Sequence, residues 1–311
     1  MRIWRIWPPK ENLTCGVRSL AFKCLIMQPV AFLGFTDPFS SSTHLLAAVA
    51  SLLGAIFLVH RGRGNGARVF SLIVFSITLV FLFSMSGVFH LLPLDGSARP
   101  VLQRLDHAGI WALIAGTFTP IHTILFRGPW RWAILLMVWT LAITGLVLEV
   151  VFFSSFPEWL LLSFFLGLGW IGALSGLRFR STFRDPSLKY LLLGGLSYSI
   201  GATFDFLKWP VVVAGVIGPH EIFHLFVIGG ALSHWLFIYK WSDHPLGNEL
   251  LVNVHVLGPS RYVADARGER IHIEAESLEL LRSSIQKMVV ERFHPPTQPR
   301  IRLRFYQEEY L

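Results

Sequence analysis

Charge is scarce in this chain. Only 15% of its 311 residues are Asp, Glu, Lys or Arg, whereas 53% are hydrophobic and 14% aromatic, and the mean hydropathy is +0.55. That balance excludes an ordinary soluble protein. Cysteine is rarer still. Cys15 and Cys24 stand alone, without CxxC spacing, and cannot define a disulfide framework. Acidic residues number 19 against 27 basic ones, a net charge of +8. A nucleic-acid partner is nevertheless excluded, because residues 249–311 carry nine Lys/Arg and nine Asp/Glu. The excess lies on the N-terminal tail and on short loops between apolar runs, where basic residues orient a membrane protein.

What the chain does have is long hydrophobic runs. A membrane span needs about 20 mostly apolar residues. Seven such stretches can be placed, at 43–60, 68–92, 101–125, 130–149, 157–177, 188–208 and 218–240. Lipid offers no partner to free backbone groups, so these runs must be helical. Residues 1–42 read as a basic, amphipathic tail on the membrane surface. The apolar stretch after Lys23 is short and broken by Pro29, and it lacks a clean signal-peptide cleavage site. Gly167, Gly169, Gly172 and Gly176 read as helix-packing positions.

The character changes after Pro245. Residues 250–256 and 269–275 read as strands, with 259–266 a hairpin partner. Residues 277–292 read as an amphipathic helix, and 300–306 as an edge-type strand. The expected fold is therefore an all-α seven-transmembrane helix bundle, 43–242, followed by a small soluble α+β domain, 249–311. That domain carries no catalytic motif, and it is expected either to dock on the membrane domain or to self-associate.

Ionisable groups at membrane depth are expensive and mark functional sites by default. Because consecutive spans alternate direction, His90 (end of the second), Asp106 (start of the third) and His220 and His224 (start of the seventh) fall on one face. His220 and His224 are i, i+4 and share a helical stripe, as do Ser86 and His90. Three histidines with one position left for water is the pattern of a catalytic zinc. His44, His60, His107, His122 and His234 have bland readings as packing or interfacial residues. His234 lies too far along its helix to join the site, and it is expected to hydrogen-bond a neighbouring helix. Asp205 is expected to pair with Lys208 and Glu149 to be an interfacial carboxylate, although both can edge the cavity.

Several ordered motifs resemble the haemolysin III and progestin/adipoQ receptor family, which includes the adiponectin receptors. They are Ser86-Gly-Val-Phe-His90, Leu105-Asp106-His107-Ala108-Gly109-Ile110, Gly116-Thr117-Phe118-Thr119-Pro120, Gly194-Gly195-Leu196-Ser197-Tyr198 and His220-Glu221-Ile222-Phe223-His224. The resemblance covers about residues 36–242 and not the tail or the C-terminal region. It implies seven membrane helices with zinc held by His90, His220 and His224. Asp106 would contact that metal through water, and Ser86 would support the water. The wider superfamily includes alkaline ceramidases, so the implied activity is zinc-dependent hydrolysis of a lipid amide or ester. The alternative is a metal-stabilised lipid sensor or receptor without turnover. Asp205 departs from the family pattern, which has an aromatic residue there.

A pore is disfavoured, since no span carries a continuous polar stripe beyond the site cluster. A transporter is disfavoured by the lack of an inverted repeat. The expected location is a multi-pass integral membrane position, in the plasma or inner membrane if the source is bacterial. Loop charge places the site face outside and the C-terminal region in the cytoplasm, opposite to the orientation described for adiponectin receptors.

Overall fold

The computed structural model describes residues 36–307, except 154, 245, 247–248, 259, 267–270 and 293–298. Most of the expected tail, and both cysteines, lie outside the described residues. Among the described residues, eight helices precede the sheet: α1 (Pro38–Arg61), α2 (Gly66–Leu91), α3 (Arg99–Leu125), α4 (Pro129–Val151), α5 (Glu158–Trp170), α6 (Gly172–Phe183), α7 (Leu188–Leu207) and α8 (Pro219–Trp241). The sheet region follows: β1 (Glu249–Gly258), β2 (Arg261–Ala266), β3 (Ile271–Ala275), α9 (Leu278–Arg292) and β4 (Arg300–Gln307).

Local chemistry explains several helix starts. Asp37 caps α1 by accepting the Ser40 amide at 3.0 Å, and Asn65 caps α2 by accepting those of Ala67 and Arg68. Pro38, Pro100, Pro129 and Pro219 sit in first turns, where a missing N–H costs nothing. Glu221 folds back to accept the Gly218 amide at 2.7 Å, which closes the start of α8 and spends that carboxylate on capping.

Among the described residues, six helical stretches are long and apolar enough to cross a membrane: α1, α2, α3, α4, the α5–α6 pair and α8. The expected span at 188–208 forms α7, but it is not among those six. Its Gly194, Gly195, Ser197, Ser199 and Asp205 dilute the apolar content. The run expected to end at 177 continues as helix to Phe183, interrupted at Ile171.

The helices pack in the order their connections dictate. Gly116 lies against Thr78, so α2 and α3 approach where any side chain would collide. Gly167 and Gly169 do not fit the packing reading, since a Cβ on either would meet no atom within 4 Å. Phe75, Leu79, Ile121, Ile124, Phe179, Phe237 and Trp241 belong to the main core. The outer faces are apolar too: Leu46, Leu53, Ile56, Phe57, Leu136 and Leu177 are exposed, as lipid-facing positions should be.

The sheet order is β3-β2-β1-β4. β1 pairs antiparallel with β2 (Val254 opposite Ala264) and parallel with β4 (Val252 opposite Leu303). On α9, Leu281, Ile285 and Val289 recur at i+4 and cover Leu250, Val252 and Val254. This core is separate from the helical one. Asp243 joins the two regions, lying 3.4 Å from Arg61 and 3.5 Å from Arg304. The buried Arg68 guanidinium donates to the carbonyls of Gly62, Arg63 and His244, tying the first interhelical loop to the chain leaving α8.

Candidate metal centre

The end of α2 and the start of α8 bring His90, His220 and His224 together. One nitrogen from each ring lies within 4.8 Å of the others. The ring centroids are separated by 5.0 Å (His90–His220), 4.7 Å (His90–His224) and 4.6 Å (His220–His224). His90 and His224 are buried, and His220 is partly exposed.

Two carboxylates set the ring orientations. Asp37 Oδ2 lies 3.1 Å from His90 Nδ1, and Asp205 Oδ1 lies 3.2 Å from His220 Nδ1. Each carboxylate is placed to accept the Nδ1 proton, and in a neutral ring that leaves Nε2 with a lone pair. Those two Nε2 atoms face one another at 3.2 Å. Lone pairs at that distance repel unless a positive species lies between them. A proton would satisfy two rings, whereas three converging nitrogens are what a metal ion uses. The spacing fits as well: two ligands at 2.0–2.1 Å from a tetrahedral zinc lie about 3.3 Å apart. Carboxylates behind ligand imidazoles are the usual outer support of such sites. Three histidines here can therefore hold a metal ion.

Asp37 lies just ahead of α1. Burial opposes its ionisation, but hydrogen bonds from His90 and from Ser40 outweigh that and hold its pKa below the ordinary carboxylate value. The sequence reading missed Asp37 altogether. Its only local signal was an Asp before a proline-started helix, which indicates a cap and nothing more.

Other predicted residues are placed as follows. Ser86 is buried on α2, one turn deeper than His90. Asp106 is half-buried near the start of α3 and lies outside the set of three. Asp205 does approach Lys208, at 3.6 Å, but its second and shorter contact is His220. Glu149 is not an interfacial carboxylate. It is buried, and it accepts hydrogen bonds from Trp111 Nε1 at 2.6 Å and from His107 Nδ1 at 2.5 Å. His107 thereby ties α3 to α4. His234 binds the Leu191 carbonyl across to α7, as expected, and His122 lies between the Trp130 carbonyl and Ser175.

Below the cluster, a cavity of about 200 Å³ runs between α3, α5, α6, α7 and α8. Its lining is almost wholly apolar and includes Ile110, Phe118, Phe165, Val227 and Phe223, the residue next to His224. From Ile110 to His122, both on its wall, the helical rise is roughly 18 Å.

Comparison with known proteins places the helical region among named relatives. Hemolysin-3 of Bacillus cereus is 32% identical over 191 residues, covering 61% of this chain and 84% of that protein. Heptahelical transmembrane protein ADIPOR2 of Oryza sativa subsp. japonica is 30% identical over 192 residues, 57% of this chain and 84% of its own length. The human monocyte to macrophage differentiation factor is 25% identical over 203 residues, 64% of this chain and 81% of that protein. Residues 34–235 match the model of the family described as Haemolysin-III related. That stretch contains all three histidines, both supporting carboxylates and the six apolar helices except the last turns of α8. The chain is thus a multi-pass integral membrane protein and belongs to the haemolysin-III-related family, which it shares with adiponectin-receptor-like proteins.

Proposed function

We propose that this protein crosses the membrane seven times, holds zinc between His90, His220 and His224, and hydrolyses a lipid amide or ester of the ceramide type. The observation that carries the reading is the convergence of three imidazoles, two of them held by carboxylates with their Nε2 atoms 3.2 Å apart. Support for α7 as the remaining span comes from its contacts along α8. Asp205, near its end, touches His220 at the start of α8, and Asp185, just before its start, touches Lys240 at the end of α8. A helix that runs beside α8 for its whole length crosses whatever α8 crosses.

When bound, zinc lowers the pKa of a water toward 7 and polarises a carbonyl. The chain's own groups do the rest. Asp37 and Asp205 keep the His90 and His220 rings turned inward with Nε2 unprotonated. The Asp106 carboxylate takes the proton from the attacking water and delivers it to the leaving nitrogen or oxygen. The Ser86 hydroxyl orients that water from one turn deeper. The cavity beyond Phe223 takes the acyl chain and excludes bulk water from the reacting carbonyl.

The test is incubation of purified protein with ceramides and phospholipids. Zinc-dependent release of free fatty acid is expected, and His220→Ala should lose both metal and turnover. A variant that keeps its full zinc content would defeat the ligand assignment. The second reading is a metal-stabilised lipid sensor without turnover, which the same three histidines would serve. Stoichiometric zinc with no fatty acid release would select it.

A further inference from the structure

We propose that His44 is the positioning residue for the third metal ligand, His224, and acts through ring stacking. This inference rests on the metal reading above. The two other ligands have a carboxylate behind them, but His224 has only the backbone of Ser40 beside it, and its Nδ1 makes no hydrogen bond of ordinary geometry. What it has is the His44 ring, whose centroid lies 3.9 Å away with only 18° between the planes. The edge of Phe83, at 5.1 Å and 82°, holds His44 from another side.

His44 is a poor choice for a mere core residue. It is 2% exposed, and neither ring nitrogen makes a hydrogen bond of ordinary geometry, the His224 backbone being the polar group beside it. Each buried, unsatisfied polar atom costs roughly 1–3 kcal/mol. A leucine of similar bulk would avoid that cost, so a histidine here must do something other than fill space.

Electronic structure indicates what that is. Two neutral aromatic rings prefer offset or edge-on contact to a parallel stack. An imidazole that has given its lone pair to a metal is electron-poor, and the negative face of a neutral ring attracts it, as it attracts a cation. The stack therefore favours the metal-bound state of His224 over the free one. The position of His44 on α1 fits the same purpose. Asp37 and His44 lie seven residues apart, on the buried stripe of a helix that otherwise faces outward with Leu46, Leu53, Ile56 and Phe57. One face of α1 thus supports a ligand from α2 and a ligand from α8.

The experiment measures metal affinity by competition with a chelator and the visible spectrum of the cobalt-loaded protein, for wild type, His44→Leu, His44→Phe and His220→Ala. His44→Leu is expected to weaken metal binding by about 10-fold or more, in the range typical of outer-sphere partners. It should also alter the cobalt bands while leaving the melting temperature of the metal-free protein unchanged or raised. His44→Phe keeps a flat ring against His224 and should retain most of the affinity. Wild-type affinity in His44→Leu would overturn the inference. So would a loss in His44→Phe equal to that in His44→Leu, because ring nitrogens and not the stack would then matter. If wild type takes up no divalent ion at all, the metal reading falls and this inference with it. If His220→Ala loses the ion while His44→Leu keeps it, only the role of His44 falls.

Discussion

The chemistry of the candidate centre depends on which imidazole nitrogen carries a proton, and single carboxylates decide that. Asp205 faces His220 Nδ1 from α7, and Asp37 faces His90 Nδ1 from the start of α1. Removing either frees the ring to turn and to protonate at Nε2, the atom the proposed metal site would use. Asp205→Ala is expected to weaken zinc binding about 10- to 100-fold, as read by chelator competition. An unchanged affinity would make the His220–Asp205 contact incidental. Asp37→Ala should show the same loss together with a less stable α1, since the same carboxylate caps that helix. The grouping of His90, His220 and His224 was legible in the sequence because the i, i+4 spacing of His220 and His224 and the alternation of spans are local rules. Asp37 and His44 were not, because their partners lie on other helices and nothing in their own neighbourhood announces it.

At the level of elements, close helix contacts position those residues. α2 carries Ser86 and His90, and α3 carries Asp106, so their relative height is set where Gly116 meets Thr78. Gly116→Val places branched carbon atoms into that contact. A loss of about 1–3 kcal/mol is expected, visible as a lower melting temperature in detergent. A melting temperature equal to wild type would show that the two helices separate easily. α7 illustrates the opposite limit of reading sequence. The apolar pattern located it within a residue at each end, yet its small and polar residues leave it outside the six stretches that length and hydropathy alone support. Its neighbours along α8, and not its composition, argue for its path.

Across the whole molecule, a few ion pairs hold the ends of elements together on the side away from the centre. Asp185, in the loop before α7, accepts from Lys240 Nζ at 2.6 Å and from the Ser187 amide at 2.7 Å. Burial works against its ionisation, but these bonds and the Lys240 charge outweigh it and hold its pKa below the ordinary 3.8. A carboxylate with a depressed folded-state pKa adds stability that is complete above its unfolded pKa and disappears as pH falls through the folded value. Melting temperature should therefore drop as pH falls below about 4, and Asp185→Asn should flatten that slope. An identical slope in the variant would assign the acid sensitivity to other groups. The basic loops Arg61–Arg68, Arg127–Arg131 and Arg178–Lys189 share this side with the sheet region. The loop-charge rule then predicts that a reporter fused after Leu311 is cytoplasmic, leaving the histidine centre on the outer face. A reporter active only outside would reverse that orientation.

Sequence alone determined that the chain lives in a membrane, that its apolar runs are helical and that a mixed helix–strand region follows them. It also singled out the histidines, because hydropathy, periodicity and the cost of ionisable groups in lipid are properties of short stretches. Only the tertiary structure decided that Asp37 and Asp205 stand behind two of those histidines and that His44 lies flat against the third. It likewise showed that Glu149 is consumed by His107 and Trp111. The reason is distance along the chain. His90 and His220 are 130 residues apart, and which nitrogen faces which carboxylate follows from how helices rotate against one another in packing, a choice that no local pattern encodes.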